Sequence, residues 1–224
     1  MRFYADNAVR FRFPLPAPDQ SRFMHDEDDE LMLRLQGGDR HAFAELVQRH
    51  QSPLIGFFYR HLRDWQLGED LSQETLLRIH NTAWDYLPRG LFKAWMYRIA
   101  RNLLIDTTRK RSHDALVRSV RRTPGRDGEE GEDIVALLPS DFLQPGEQAD
   151  EKELTQLVDS LLPQIPEDQR LAFILYSFAG LSLPEIAEAM ESNLPTTKSR
   201  LRLAREKLRE KLAAKGILDP NIAG

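Results

Sequence analysis

The residue types best suited to chemistry stand near the end of the chain. Thr196, Thr197, Lys198, Ser199 and Arg200 follow one another, and Arg202 and Arg205 continue the series. Hydroxyl groups bond base edges and phosphates, and lysine and arginine neutralise a phosphate backbone. From Pro195 to Lys215 eight basic residues oppose only Glu206 and Glu210, a net charge of +6. A second group is acidic. Asp70, Gln73, Glu74 and Leu77 recur at i, i+3, i+4 and i+7, so in a helix they share one face, with Arg78 beside it. That face suits a basic partner helix better than acid–base or metal chemistry, because no histidine accompanies the two carboxylates. A third group pairs Asn102 with Asp106, one helical turn apart and able to bond base edges. Arg98, Arg101 and Arg109 surround them and suit phosphates. Six scattered histidines and no cysteine exclude a disulfide framework, thiolate zinc and a thiol nucleophile. No catalytic constellation, metal site or cofactor site is expected.

Each group needs an element to hold it. Ser182 caps a short helix, and Glu185 three residues later reaches back to it. Pro184 falls in the first turn, where a missing N–H costs little. Ile186, Ala187 and Met190 supply the apolar face. After Glu191-Ser192, Asn193 caps the basic helix, whose apolar stripe is Leu194, Leu201, Ala204, Leu208 and Leu212. A short helix, a tight turn and a basic helix with a polar start form the pattern of a helix-turn-helix that enters a major groove.

Upstream, the apolar spacing predicts four helices from Asp26 to about Ser112, with strand signals nearly absent. Asp28–Gln36 stops at Gly37-Gly38, and Asp39 caps a longer helix with a kink expected at Pro53. A third helix runs from about Gln66 to Ala83. The loop Trp84–Gly90 follows, and then a fourth helix, Leu91–Arg111, in which Trp95 is expected in the core. Ten acids against two bases between Thr123 and Glu153, with interspersed Pro and Gly, read as a flexible acidic linker. Helices resume near Glu151, break at Pro163, restart at Pro166 and stop at Gly180. The expected fold is all-α. A tail over 1–25 precedes a four-helix domain over 26–114. A linker over 115–149 leads to a second small helical domain over 150–215, and a tail covers 216–224.

The chain of 224 residues carries a formal net charge of −4, which is unusual for a protein that grips duplex DNA alone. A basic reading helix on an acidic molecule implies that a partner supplies much of the DNA affinity. No run approaches the ~18 apolar residues of a membrane span, so no membrane insertion is expected. The N-terminal stretch has no signal-peptide pattern, which points to the cytoplasm.

Three stretches together resemble one family, the extracytoplasmic-function (ECF) sigma factors of bacterial RNA polymerase. Gly68–Arg78 resembles the family's core-binding helix. Phe92–Asp106 resembles its melting and −10-reading helix. Leu181-Ser182 through Arg205 resembles its −35-reading helix-turn-helix. The resemblance covers about Asp28–Asp114 and Asp150–Leu212. It implies that Asp70, Gln73, Glu74, Leu77 and Arg78 meet core polymerase at the β′ clamp, with the β flap as a further contact. It implies that Trp84, Tyr86, Leu87, Arg98, Arg101, Asn102, Asp106 and Arg109 serve the −10 element of promoter DNA and its melting. The loop Trp84–Gly90 would receive an unstacked base. Thr196, Thr197, Lys198, Ser199, Arg200, Arg202 and Arg205 would meet the −35 element, with Arg202 and Arg205 on phosphate. Pro195 departs from the family pattern, which commonly has glycine before the Thr. An anti-sigma factor is the expected regulator. The competing reading is a stand-alone helix-turn-helix regulator, which would bind duplex DNA without polymerase.

Overall fold

The structure, a computed structural model, describes residues 27–121 and 149–216, with the backbone alone described at 114–121 and 149–153. The expected N-terminal tail, most of the acidic linker and the final residues lie outside these ranges. The described residues form α1 (Glu27–Gln36), α2 (Arg40–Leu62), α3 (Trp65–Asn81), a 3-10 turn (Ala83–Asp85) and α4 (Phe92–Arg121). The second half adds α5 (Ala149–Leu161), a 3-10 turn (Leu162–Gln164), α6 (Glu167–Ser177), α7 (Leu183–Ala189) and α8 (Leu194–Ala214). No strand occurs among them.

The caps explain where most of these helices start. Asp39 Oδ1 accepts from the His41 amide at 2.9 Å, and Asp64 Oδ1 accepts from Leu67 at 3.1 Å. The Asp64 cap starts α3 one residue earlier than the apolar spacing alone suggests. Ser182 and Glu185 form the expected capping box, and Asn193 Oδ1 accepts from the Thr196 amide at 2.8 Å. Each such cap contributes about 1 kcal/mol.

The ends of the third and fourth helices also differ from expectation. The third helix ends at Asn81, because Thr82 Oγ1 bonds the Arg78 carbonyl at 2.7 Å and the chain tightens into the 3-10 turn. The fourth helix continues to Arg121, ten residues past Arg111. No proline or glycine interrupts 112–121, and the first breakers are Pro124 and Gly125. Pro53 lies inside α2, which continues through it as one helix.

Leu46, Leu54, Phe58, Ile79, Phe92, Met96 and Leu104 are fully buried between the first four helices. Leu161, Leu162, Phe173, Ile174, Ile186, Ala204 and Leu208 fill the second group. Each large side chain so buried contributes about 1.5–3 kcal/mol. The architecture is thus two small helical domains, and in this structure they touch. Arg60 at the end of α2 lies 3.0 Å from Asp159 of α5 and stacks 3.8 Å over the Phe178 ring. Arg63 donates to the Asp159 carbonyl, and α7 packs on α4. Burial holds the Asp159 carboxyl above the usual range, although Arg60 and Arg63 pull it down.

Candidate nucleic-acid and partner interfaces

α3 presents two opposite faces. Leu71, Leu76 and Ile79 are buried, while Asp70, Gln73, Leu77 and Arg78 are exposed. Leu77 is 53% exposed among these charged residues. Glu74 is half-buried and paired with Arg78 at 2.8 Å. The outward face therefore carries Asp70, an amide and a leucine, with the Glu74 charge shared by its own helix.

Between the end of α3, the 3-10 turn and α4 lies an open pocket of about 300 Å³, lined by Arg78, Thr82, Asp85, Trp95, Ile99 and Asn102. Its polar groups come from Arg78, Thr82, Asp85 and Asn102, and Trp95 gives an aromatic wall. Trp95 is thus only partly core. One side packs on Phe92 and Tyr86, with the Tyr86 ring 4.9 Å away, and the other lines the pocket. Trp84, 78% exposed, and Leu87, 61% exposed, stand on the loop beside it. Tyr86 does not join them. It is 6% exposed, and its hydroxyl donates to Asp29 of α1. Tyr86, expected at the −10 element, has its ring and hydroxyl both committed inside the domain in this structure.

Along α4, Asn102, Asp106 and Arg109 are exposed on one side. Arg98 and Arg101 are half-buried and paired across the domain contact. Arg98 Nη1 lies 3.4 Å from Glu188, and Arg101 Nη1 lies 3.2 Å from Glu191.

The start of α8 is more divided than its sequence suggests. Lys198, Ser199 and Arg202 are exposed and Thr196 is half-exposed. Arg202 pairs with Glu206 at 2.5 Å, and Arg200 with Asp168 of α6 at 2.5 Å. Thr197 is fully buried. Its hydroxyl lies 2.8 Å from Ser192 Oγ and bonds the Asn193 carbonyl at 3.1 Å, so it locks the turn instead of facing solvent. Arg205 lays its guanidinium 4.7 Å from the Tyr176 ring centroid and packs against α6. Pro195 sits in the first turn of α8, and the Asn193 cap forms beside it. Among the described residues no helix is long and apolar enough to cross a membrane.

The sequence reading missed the part played by α1. Asp28 and Asp29 open this helix, where acids complement the helix dipole, yet both are buried. Arg49 and His50 of α2 lie 2.7 and 3.0 Å from the Asp28 carboxylate. Burial alone would raise that group, but His50 and Arg49 hold it below the ordinary carboxylate range. Asp29 reaches the Trp84–Gly90 loop. A tandem acid at a helix start carries no sequence signal that separates a dipole partner from a buried one.

The Sigma-70 region 2 model matches residues 46–114, and the Sigma-70, region 4 model matches residues 155–208. The RNA polymerase sigma-H factor of Pseudomonas aeruginosa is 33% identical over 186 residues, covering 81% of this chain and 91% of that protein. The ECF RNA polymerase sigma-E factor of Haemophilus influenzae is 30% identical, covering 83% and 95%. The ECF RNA polymerase sigma factor SigW of Bacillus subtilis is 29% identical, covering 78% and 91%. Among solved structures, CnrH in complex with the cytosolic domain of CnrY matches with a TM-score of 0.61 at 23% identity, covering 84% of this chain and 99% of that one. The sigma factor RpoE in complex with the anti-sigma factor NepR from Bartonella quintana matches with a TM-score of 0.58 at 24% identity, covering 76% and 96%.

Proposed function

The chain belongs to the ECF family of RNA polymerase sigma factors, and we propose how its two domains share the family's work. Members of this family are transcription initiation factors, not catalysts, and act with core polymerase at promoter DNA. We assign this chain no enzymatic step of its own and place it in the cytoplasm beside the polymerase. The family relationship also disfavours the stand-alone regulator.

The domain over 26–114 docks on the polymerase through the exposed face of α3, with Asp70, Gln73 and Leu77 at its centre. The same domain opens the −10 element. The observation that carries this reading is the pocket walled by Trp95, with Asp85 of the Trp84–Gly90 loop in its lining. A flipped base costs a few kcal/mol to unstack, and a pocket with an aromatic wall and edge-bonding groups recovers that cost. Trp95 supplies the wall, and Asn102 and Asp85 supply edge contacts. Asp106 and Arg109 lie along the same side of α4. The domain over 150–215 reads the −35 element with Thr196, Lys198, Ser199, Arg200 and Arg202. Thr197 and Arg205 hold that helix in place.

The two readers are not separated in this structure, since α7 lies against α4. The −10 and −35 elements stand roughly 80 Å apart at 3.4 Å per base pair. The Arg60–Asp159, Arg98–Glu188 and Arg101–Glu191 contacts must therefore break when the chain sits on a promoter with polymerase. The closed form suits storage with an anti-sigma factor, the kind of partner present in the RpoE–NepR structure. Run-off transcription with reconstituted core polymerase and a promoter library tests the whole reading. Selective initiation that needs this chain supports it, and polymerase-independent binding to duplex DNA with no initiation overturns it.

A further inference from the structure

The loop beside the pocket has no regular structure after the 3-10 turn (Ala83–Asp85) and runs irregularly from there to α4. Side chains of α1 brace it. Asp29 Oδ1 accepts from the Tyr86 hydroxyl, and Asp29 Oδ2 accepts from the Gly90 amide at 2.6 Å. One carboxylate thus ties the middle of the loop to its end, where Gly90 turns with a φ of +67°. Seven residues along α1, Gln36 Nε2 donates to the carbonyls of Ala83 at 2.7 Å and Tyr86 at 2.8 Å. Those carbonyls bracket the 3-10 turn that carries Trp84 and Asp85. Tyr86 in turn packs its ring on Trp95, the pocket wall. The carboxylate of Asp29 is buried, where a charge-assisted hydrogen bond is stronger than a neutral one.

We infer that Asp29 and Gln36 are positioning residues for strand opening. They hold Trp84, Asp85 and Trp95 at the geometry that captures the unstacked base, without touching DNA themselves. The inference rests on the base-capture reading of the pocket. It also gives α1 a task that its amphipathic pattern does not announce. A capture site must be in place before the base arrives, because ordering a loop at that moment would consume the binding energy. Two hydrogen-bonding side chains on a rigid helix meet that need.

The test uses holoenzyme assembled from core polymerase and the full chain, on a promoter selected from a random library by that holoenzyme. A 2-aminopurine within the −10 element reports opening. Gln36→Ala is the main variant, because Gln36 is surface-exposed and its loss leaves the core intact. Asp29→Asn is the second, since it keeps the size but places an amide donor against one of two donors. Both are expected to slow opening about tenfold, with unchanged polymerase affinity and a melting temperature within 2–3 °C for Gln36→Ala. Tyr86→Phe added to Asp29→Asn should add less than its separate effect, because both act through one contact. Unchanged opening in Gln36→Ala and Asp29→Asn overturns the inference. So does a parallel loss of opening and polymerase affinity in Gln36→Ala, which would mark a general structural role. Trp95→Ala and Asn102→Ala separate the two levels. If these leave opening intact, the base-capture reading fails. If they slow it while the α1 variants do not, only the positioning role fails.

Discussion

Arg101 of α4 places its Nη1 3.2 Å from the Glu191 carboxylate in the turn before α8. An arginine expected to meet phosphate is thus held by an acid from the second domain. The neighbouring Arg98–Glu188 pair repeats the arrangement one turn away. Both are partly exposed, so each contributes only about 0–1 kcal/mol, and the closed form rests more on Asp159.

Charge reversal at Glu188 and Glu191, combined with Asp159→Asn, should therefore loosen the closed form. Small-angle scattering should show a larger radius of gyration for the triple variant than for the parent. Identical scattering curves at low salt would contradict the contact's role in closure.

In the acidic face of α3, Asp70→Lys should cut co-purification with core polymerase more than tenfold while leaving the circular dichroism spectrum unchanged. Leu77→Ala should act in the same direction, because the exposed half of this side chain lies on the same face as Asp70. Glu74→Lys carries an extra cost of about 0.3–0.5 kcal/mol from the lost pair with Arg78. Full polymerase binding by Asp70→Lys would remove this face from the docking surface.

Trp84→Ala tests the loop. At 78% exposure the side chain adds little to folding, so thermal stability should stay the same. Stacking on one base is worth about 1–3 kcal/mol, so open-complex formation should fall by roughly 5- to 150-fold. Permanganate footprinting of the −10 element measures it.

On α8, Lys198 and Thr197 should separate cleanly. Lys198→Ala should lower promoter affinity and flatten its salt dependence by about 0.9 in log–log slope for one lost phosphate contact. Thr197→Ala should instead destabilise the domain by about 1–3 kcal/mol, because it leaves buried partners in the turn unsatisfied. A Thr197 variant with native stability but altered −35 preference would reverse that assignment.

His61 predicts a pH dependence. It is buried, and burial pushes its pKa down to about 3, with Arg170 and Arg60 pulling the same way. Its Nδ1 lies 2.8 Å from the Phe57 carbonyl, so the neutral form donates there. In the unfolded chain it takes up a proton below about pH 6.5, while the native state does not. Stability is then complete above about 6.5 and falls by about 1.4 kcal/mol per pH unit below it, down towards 3. Urea titrations at pH 7 and 5 should show this slope in the parent and a shallower one in His61→Gln. Equal slopes would refute the assignment.

Much of the fold was legible because helices announce themselves locally. Asp39, Ser182 and Asn193 cap where their types predict, since a cap needs only partners two or three residues away. The buried and exposed faces of α3 also follow from spacing alone. The end of α4 was misjudged because a basic, polar stretch reads as a linker while remaining free of helix breakers.

The sequence by itself determined an all-α fold class, the acidic face of α3, the basic character of α8 and the family to which both domains belong. These depend on period, charge and residue type, which are local properties. Only the tertiary structure decided that Tyr86 and Thr197 turn inward, that Trp95 serves both core and pocket, and that Glu191 covers Arg101. It alone brought Asp29 to the Tyr86–Gly90 loop, across 57 and 61 residues of chain. The period of a helix shows which side is buried, but not which distant group it is buried against. That partner is chosen when the helices pack, and it set Asp28 against Arg49 and His50 of α2 and Asp29 against the loop beside the pocket.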